Sequence, residues 1–228
     1  MLAKYLVKDT MYISFLAQVV TLLIGLSAQF VNLSNKDIIL KQALALENSV
    51  QFIEGCFYLF FIFFYINNVD KTDIAKYRYY DWILTTPTMI LSTIIYFEYN
   101  NQKKNNKIFT FFQFIKENYY KIIELFSYNF GMLFVGYLQE ISLINITLST
   151  IVGFIFFILL FYKMYEYYAS KSSSNMPIFI IMTTIWSIYG IAALFDFKVK
   201  NAFYNILDVF SKNFYGLFLA YLVYSFRI

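Results

Sequence analysis

Residues 205–223, NILDVFSKNFYGLFLAYLV, decide the fold. The stretch belongs to an apolar block of the length that crosses a bilayer, about twenty residues. Yet it carries Asp208 and Lys212, one helical turn apart on one face. Lys212 lies too far from either end of the block for its amine to snorkel to the interface. A charge at mid-bilayer costs about 2.5–3.5 kcal/mol even on insertion scales, so an ionisable residue there marks a function. One use is an ion pair between two helices. The other is a buried lysine whose amine deprotonates readily and joins an aldehyde as a Schiff base.

The rest of the chain agrees with a membrane reading. Its 228 residues are 60% hydrophobic, 23% aromatic and 14% charged, against about 25% charged in a soluble domain. One Cys cannot form a disulfide within the chain, and a chain without His is poorly equipped for zinc. The net charge of +4 is spread over scattered lysines with no basic stripe, so no nucleic-acid partner is expected. The N-terminal MLAKYLVKDT has Lys4, Lys8 and Asp9 and no small-residue cleavage site after the first apolar block, so that block is expected to remain as a span.

Seven segments meet the length rule, at roughly 9–31, 39–66, 71–97, 118–138, 142–168, 175–196 and 200–226. The expectation is an all-α, seven-helix membrane bundle forming one domain over 1–228, with short links joining antiparallel neighbours. The exception is YNNQKKNNKIFTFFQF (99–114), read as a solvated loop whose aromatics lie at the lipid interface. Ten basic residues flank one side of the bundle: Lys36, Lys41, Lys103, Lys104, Lys107, Lys116, Lys121, Lys163, Lys171 and Arg227. Six flank the other: Lys4, Lys8, Lys71, Lys76, Lys198 and Lys200. Positive-inside reasoning then places the N-terminus outside and the C-terminus in the cytoplasm.

The third span supplies a partner for Lys212. In KYRYYDWILTTPTMILS (76–92), Arg78, Asp81 and Thr85 share one face. A protonated Schiff base in low dielectric needs counter-charges, which Asp81 and Asp208 provide, and Arg78 favours their ionised forms. Two cations then balance two aspartates. Pro87 is expected to kink the helix and free carbonyls.

RYYDWILTTP (78–87) and LDVFSKNFYG (207–216), with a lysine in the last of seven spans, resemble the microbial (type 1) rhodopsins over nearly the whole chain. The resemblance implies all-trans retinal bound covalently to Lys212, with Asp81 as primary counter-ion and proton acceptor, Asp208 as second counter-ion and Arg78 as the outer gate residue. It implies a retinal pocket of Trp82, Thr86, Met89, Met132, Gly136, Trp186 and Tyr189, with Asn129 of NFGMLFVG hydrogen-bonding Thr86; an apolar Met89 implies green rather than blue absorption. WSIYG (186–190) departs from the family's WxxYP by placing Gly190 where a proline stands. Such a protein is no enzyme; its partners are the bilayer and the transported ion, and a homo-oligomer is compatible with the sequence.

Family pumps commonly carry a carboxylate three turns beyond the counter-ion. Here that position is Ser92, which holds no donatable proton. Other polar residues lie inside the spans: Ser14 and Gln18 on the first, Glu47, Asn48, Ser49, Gln51 and Glu54 on the second, and Asn213 after the lysine. They either glue helices together or line a path that carboxylates make cation-selective. The trio Asp81, Thr85, Ser92, the Ser14/Gln18 pair, the two glutamates and the Lys–Asn step also resemble the group I viral rhodopsins, light-gated cation channels, implying residence in a host-cell membrane. The expected function is a light-gated cation channel with its path between the first, second, third and seventh spans. An outward proton pump and a photosensor are the alternatives.

Overall fold

The computed structural model describes residues 3–68, 73–103 and 107–228. Among them run α1 (Ala3–Ala28), α2 (Ile38–Tyr65), α3 (Ala75–Lys103), α4 (Phe111–Glu140), α5 (Ile146–Tyr167), α6 (Met176–Ala192), α7 (Phe197–Asp208) and α8 (Phe214–Ser225). A π-helical turn, Val209–Asn213, joins α7 to α8 in one continuous rod, so the rods number seven. Two 3₁₀ turns link α5 to α6. Between residues described there is an isolated bridge, Leu33 to Arg227, tying the C-terminus to the α1–α2 connection. Lys71 and Lys104, counted above for orientation, and the expected start of the third span lie outside the described residues.

Each rod packs on its neighbours in sequence, and the seventh closes the ring against α1 and α2. The bundle turns apolar side chains outward, such as Ile13, Leu16, Leu23, Phe63, Phe64 and Ile158, while Glu47, Glu54, Arg78, Asp81, Asp208 and Lys212 are buried within it. A lipid solvent dictates that arrangement, since polar side chains in spans face the bundle interior. Among the described residues, five helices are long and apolar enough to cross a membrane, counting α7 and α8 as one. Absent from that set are α3, with Arg78, Asp81, Glu98 and Lys103, and α4, with Lys116, Glu117, Lys121, Glu124 and Glu140. At about 1.5 Å per residue these two helices, 29 and 30 residues long, also exceed a hydrocarbon core of ~30 Å, so their end charges lie beyond it.

Local chemistry sets several helix ends. Asn145 caps α5 by accepting from Leu148 N at 2.8 Å, and Asp196 caps α7 by accepting from Lys198 N and Val199 N. Pro177 sits in the first turn of α6, where its missing N–H costs nothing. Pro87 lies inside α3, flanked by Thr85, Thr86 and Thr88, whose hydroxyls donate to the carbonyls of Asp81, Trp82 and Leu84 at 3.1, 2.7 and 2.9 Å.

The 99–114 stretch is less of a loop than its composition suggests. Its start belongs to α3: Tyr99 Oη donates to Asp37 Oδ1 at 2.7 Å and Asn101 Nδ2 to Tyr168 O at 3.2 Å. Its end belongs to α4, which begins at Phe111 because Thr110 accepts from Gln113 N at 3.2 Å. Phe112 is outward-facing, whereas Phe114 is buried in the core. Polar residues with tertiary partners continue a helix that composition alone would end.

Candidate functional site

The π turn carries Lys212 into the centre of the bundle, where its side chain is 2% exposed. Single π turns inside α-helices recur at functional sites. Lys212 Nζ lies 2.9 Å from Glu54 Oε1, 3.0 Å from Asp81 Oδ2 and 3.6 Å from Asp208 Oδ1. Asp208 is held by Tyr58 Oη at 2.7 Å, Tyr189 Oη at 2.8 Å and Arg78 Nη1 at 3.3 Å. Arg78 also donates to Asn205 Oδ1, and to Asn201 Oδ1 at 3.4 Å, with its guanidinium 5.4 Å from the Phe61 ring centre. The face shared by Arg78, Asp81 and Thr85 thus meets the Asp208–Lys212 face of the seventh rod.

Glu54 changes the charge count. The spacing argument balanced two cations with two aspartates and assigned Glu54 to an ion path. The structure places it at the lysine amine and beside Asp208, so three carboxyls face Lys212 and Arg78. Among the described residues, Glu54 Oε2 and Asp81 Oδ1 are buried without a hydrogen-bond donor. A surplus buried charge costs several kcal/mol, so neutrality requires one proton among the three carboxyls.

An apolar cavity opens against Lys212 between α3, α4, α5 and α6. Trp82, Thr86, Met89, Met132, Gly136, Trp186 and Tyr189 all line it together with the lysine. Trp82 is wedged edge-on against Tyr189 and Tyr204, and Trp186 against Phe161, at ring-centre separations of 5.6, 5.1 and 5.7 Å. A Cβ at Gly136 would overlap the Tyr79 hydroxyl, and one at Gly190 would fall 2.8 Å from Phe154 Cζ, so both glycines permit close approach at the cavity wall. Asn129 stands one layer out and donates to Thr86 Oγ1 at 2.8 Å. An apolar cavity lined by two tryptophans and the Lys212 side chain suits a conjugated aldehyde such as retinal.

The remaining polar residues form a seam between α1, α2 and the seventh rod. Asn213 Nδ2 donates to Gln18 Oε1, Thr21 Oγ1 and Gln51 Oε1 at 3.1, 3.1 and 2.8 Å, and Gln51 Nε2 donates to Lys212 O at 3.0 Å. Ser14 donates to Asn205 O on the Arg78 side. On the other side of Lys212, Ser92 donates to Glu47. Among the described residues, Gln18 Nε2, Asn213 Oδ1 and Glu47 Oε2 are buried with no partner.

Sequence reasoning missed Tyr58, Asn205 and Ser211, which bind Asp208, Arg78 and Tyr189 respectively. A helical-period signal existed for each: Tyr58 is four residues after Glu54, Asn205 three before Asp208, and Ser211 three after Asp208.

A family model for bacteriorhodopsin-like proteins matches residues 9–226. The viral rhodopsin OLPVRII superposes with a TM-score of 0.81 at 27% identity, covering 98% of this chain and 100% of that one. Xanthorhodopsin, described as a light-driven ion pump with dual chromophore, superposes at 0.76 with 18% identity over 98% and 94% of the two chains. Acetabularia rhodopsin I does so at 0.74 with 16% identity over 96% and 94%. No curated protein sequence matches the chain.

Proposed function

The chain belongs to the bacteriorhodopsin-like family, integral membrane proteins that bind retinal through a lysine, and from that premise we propose that it is a light-gated cation channel. Lys212 Nζ would hold all-trans retinal, and the group when bound would supply the light-driven isomerisation. The chain's own residues do the rest. Trp82 and Trp186 would clamp the polyene, Gly136 would leave room beside it, and the Thr86–Asn129 bond fixes the wall between α3 and α4.

Before illumination, the proton held at Lys212 Nζ faces Asp81 Oδ2 at 3.0 Å. Asp81 accepts that proton, which discharges Lys212 and Asp81 together and weakens the pull of this pair on Arg78 and Asp208. Asp208 and Arg78 then relax against Tyr58, Asn201 and Asn205. The seam between α1, α2, α3 and the seventh rod loosens and admits water. The carboxyl oxygens of Glu54 and Glu47, on either side of the Asn213 cluster, favour cations along it. Thr85 and Ser92 line the α3 side. In the orientation that the basic residues favour, the Arg78 end faces outward and the Ser92 end the cytoplasm.

The observation carrying this reading is the polar seam beside Lys212, with buried Gln18, Asn213 and Glu47 atoms that lack partners and demand water. A second reading, an outward proton pump, has one observation in its favour. The Ser92–Glu47 bond sets a helix α2 carboxyl at the position on α3 where pumps hold a proton donor.

Voltage-clamped photocurrents in retinal-supplied cells separate the two. A current that reverses sign, at a potential following the sodium or potassium gradient, is the expected result. A current outward at every potential would establish the pump, and the α1 and α2 residues would revert to interhelical glue. A normal visible band with no current would point to a sensor. Lys212→Ala should abolish the band; a surviving band would end the retinal reading.

A further inference from the structure

At the Arg78 end of the bundle a second charge cluster closes over the first. Lys200, on the first turn of α7, bonds Glu140, the last residue of α4, at 3.0 and 2.9 Å. It also pairs with Asp73, in the α2–α3 connection, at 2.7 Å. The Lys200 and Glu140 side chains are 6% and 4% exposed, while Asp73 is 35% exposed and gives the cluster its contact with solvent. Two carboxylates surround one ammonium that has used its three donors, so the triad bears a surplus negative charge.

The triad is wired inward. The second Asp73 oxygen accepts from Asn201 Nδ2 at 2.9 Å, and Asn201 Oδ1 accepts from Arg78 Nε at 3.4 Å. Arg78 pairs with Asp208, which stands 3.6 Å from Lys212 Nζ. An unbroken line of polar contacts therefore runs from the solvent-facing carboxylate to the lysine at the bundle centre. On the channel reading, an ion leaving the seam along this line would pass Arg78 before Asp73 and Lys200.

Two carboxylates converging on one cation at the mouth of a polar route form a cation site, and here the cation is part of the chain. We propose that Lys200 is a tethered plug: its ammonium occupies an outer cation site made by Asp73 and Glu140, and the mouth opens when movement of Arg78 and Asn201 draws Asp73 away from it. The inference rests on the channel reading. A plain staple holding three helix ends would stabilise the bundle without affecting what passes through it.

The test measures photocurrents of the full, retinal-loaded chain, normalised to the visible band so that only folded, loaded protein counts. Lys200→Gln leaves the carboxylates free for a mobile cation, and field focusing by unpaired carboxylates should raise inward current by at least ~3-fold. Millimolar calcium outside should block that current, since carboxylate oxygens bind calcium in about that range. Lys200→Arg, which keeps the charge, should behave as the parent. Lys200→Gln leaves the buried Glu140 and the half-buried Asp73 without their cation, so the neutral triple variant Asp73→Asn/Glu140→Gln/Lys200→Gln guards against misfolding. It should conduct more than the parent and show no calcium block. Normalised currents equal to or below the parent in both neutralised variants would overturn the plug. A parent chain without passive current would overturn the channel reading first, and that result is visible before any variant is made.

Discussion

Neutralising Glu54 should cost the protein almost nothing, whereas neutralising Lys212 should cost it heavily. At an effective dielectric constant near 20, the Glu54–Lys212 contact of 2.9 Å is worth about 6 kcal/mol. Against it stand two carboxylates around the same amine. Asp81 Oδ2 and Asp208 Oδ1 lie 3.0 and 3.6 Å from Nζ, so neither can be more than about 6.5 Å from Glu54 Oε1. Their combined repulsion is then at least about 5 kcal/mol. Desolvating an ion costs several kcal/mol more, so an ionised Glu54 gains nothing net from its position. Glu54→Gln should therefore leave the thermal midpoint within ~3 °C of the parent, or raise it. Lys212→Met leaves three acids with Arg78 alone, and breaking a buried pair costs about 3–5 kcal/mol. At ~2–4 °C per kcal/mol for a chain of this size, that lowers the midpoint by about 10 °C. The double variant Lys212→Met/Glu54→Gln should recover a good part of the loss. Thermal unfolding of the chromophore-free protein in detergent, followed by tryptophan fluorescence, makes the comparison. If Glu54→Gln melts as low as Lys212→Met, the surplus-charge argument is wrong and Glu54 is a required ionised partner.

Three other outcomes are expected. Asp81→Asn removes a counter-charge 3.0 Å from Lys212 Nζ and should move the visible absorption band to the red; an unmoved band would transfer the counter-ion role to Asp208 or Glu54. Glu47→Gln, at the Ser92 end, should alter ion passage while leaving the band in place, because its bond to Ser92 stands apart from the Lys212 amine; unchanged photocurrents would remove α2 from the path there. Asn129→Ala strands the Thr86 hydroxyl's partner site and should cost about 1–2 kcal/mol in unfolding free energy; a midpoint unchanged from the parent would mean that the interhelical bond does not stabilise the α3–α4 wall.

Much of this protein is legible in one dimension. Apolar block length follows from bilayer thickness, so seven rods could be counted from residue runs, including α3 and α4, whose charges keep them out of a hydropathy test. Helical periodicity is equally local. It put Arg78, Asp81 and Thr85 on one face and Asp208 with Lys212 on another, and the family motifs named the residues that line a single cavity in the fold. Helix ends were less legible. Tyr99 and Asn101 extend α3 because Asp37 and Tyr168, far away in sequence, satisfy them.

Faces do not say which other faces they meet, and there the tertiary structure decided. Glu54 and Glu47 share one stripe of α2, two turns apart, yet one faces the lysine amine and the other a serine on α3. Only the packing of α2 against both α3 and the seventh rod separates their environments. The π turn at Val209–Asn213 left no mark in the composition, since it is a backbone adjustment made where Lys212 must reach three carboxyls. The same holds for Lys200, which in the sequence is one of six basic residues on its side. In the fold it is clasped by Asp73 from the α2–α3 connection and Glu140 from the end of α4, because the ends of α4 and α7 and the approach to α3 converge there.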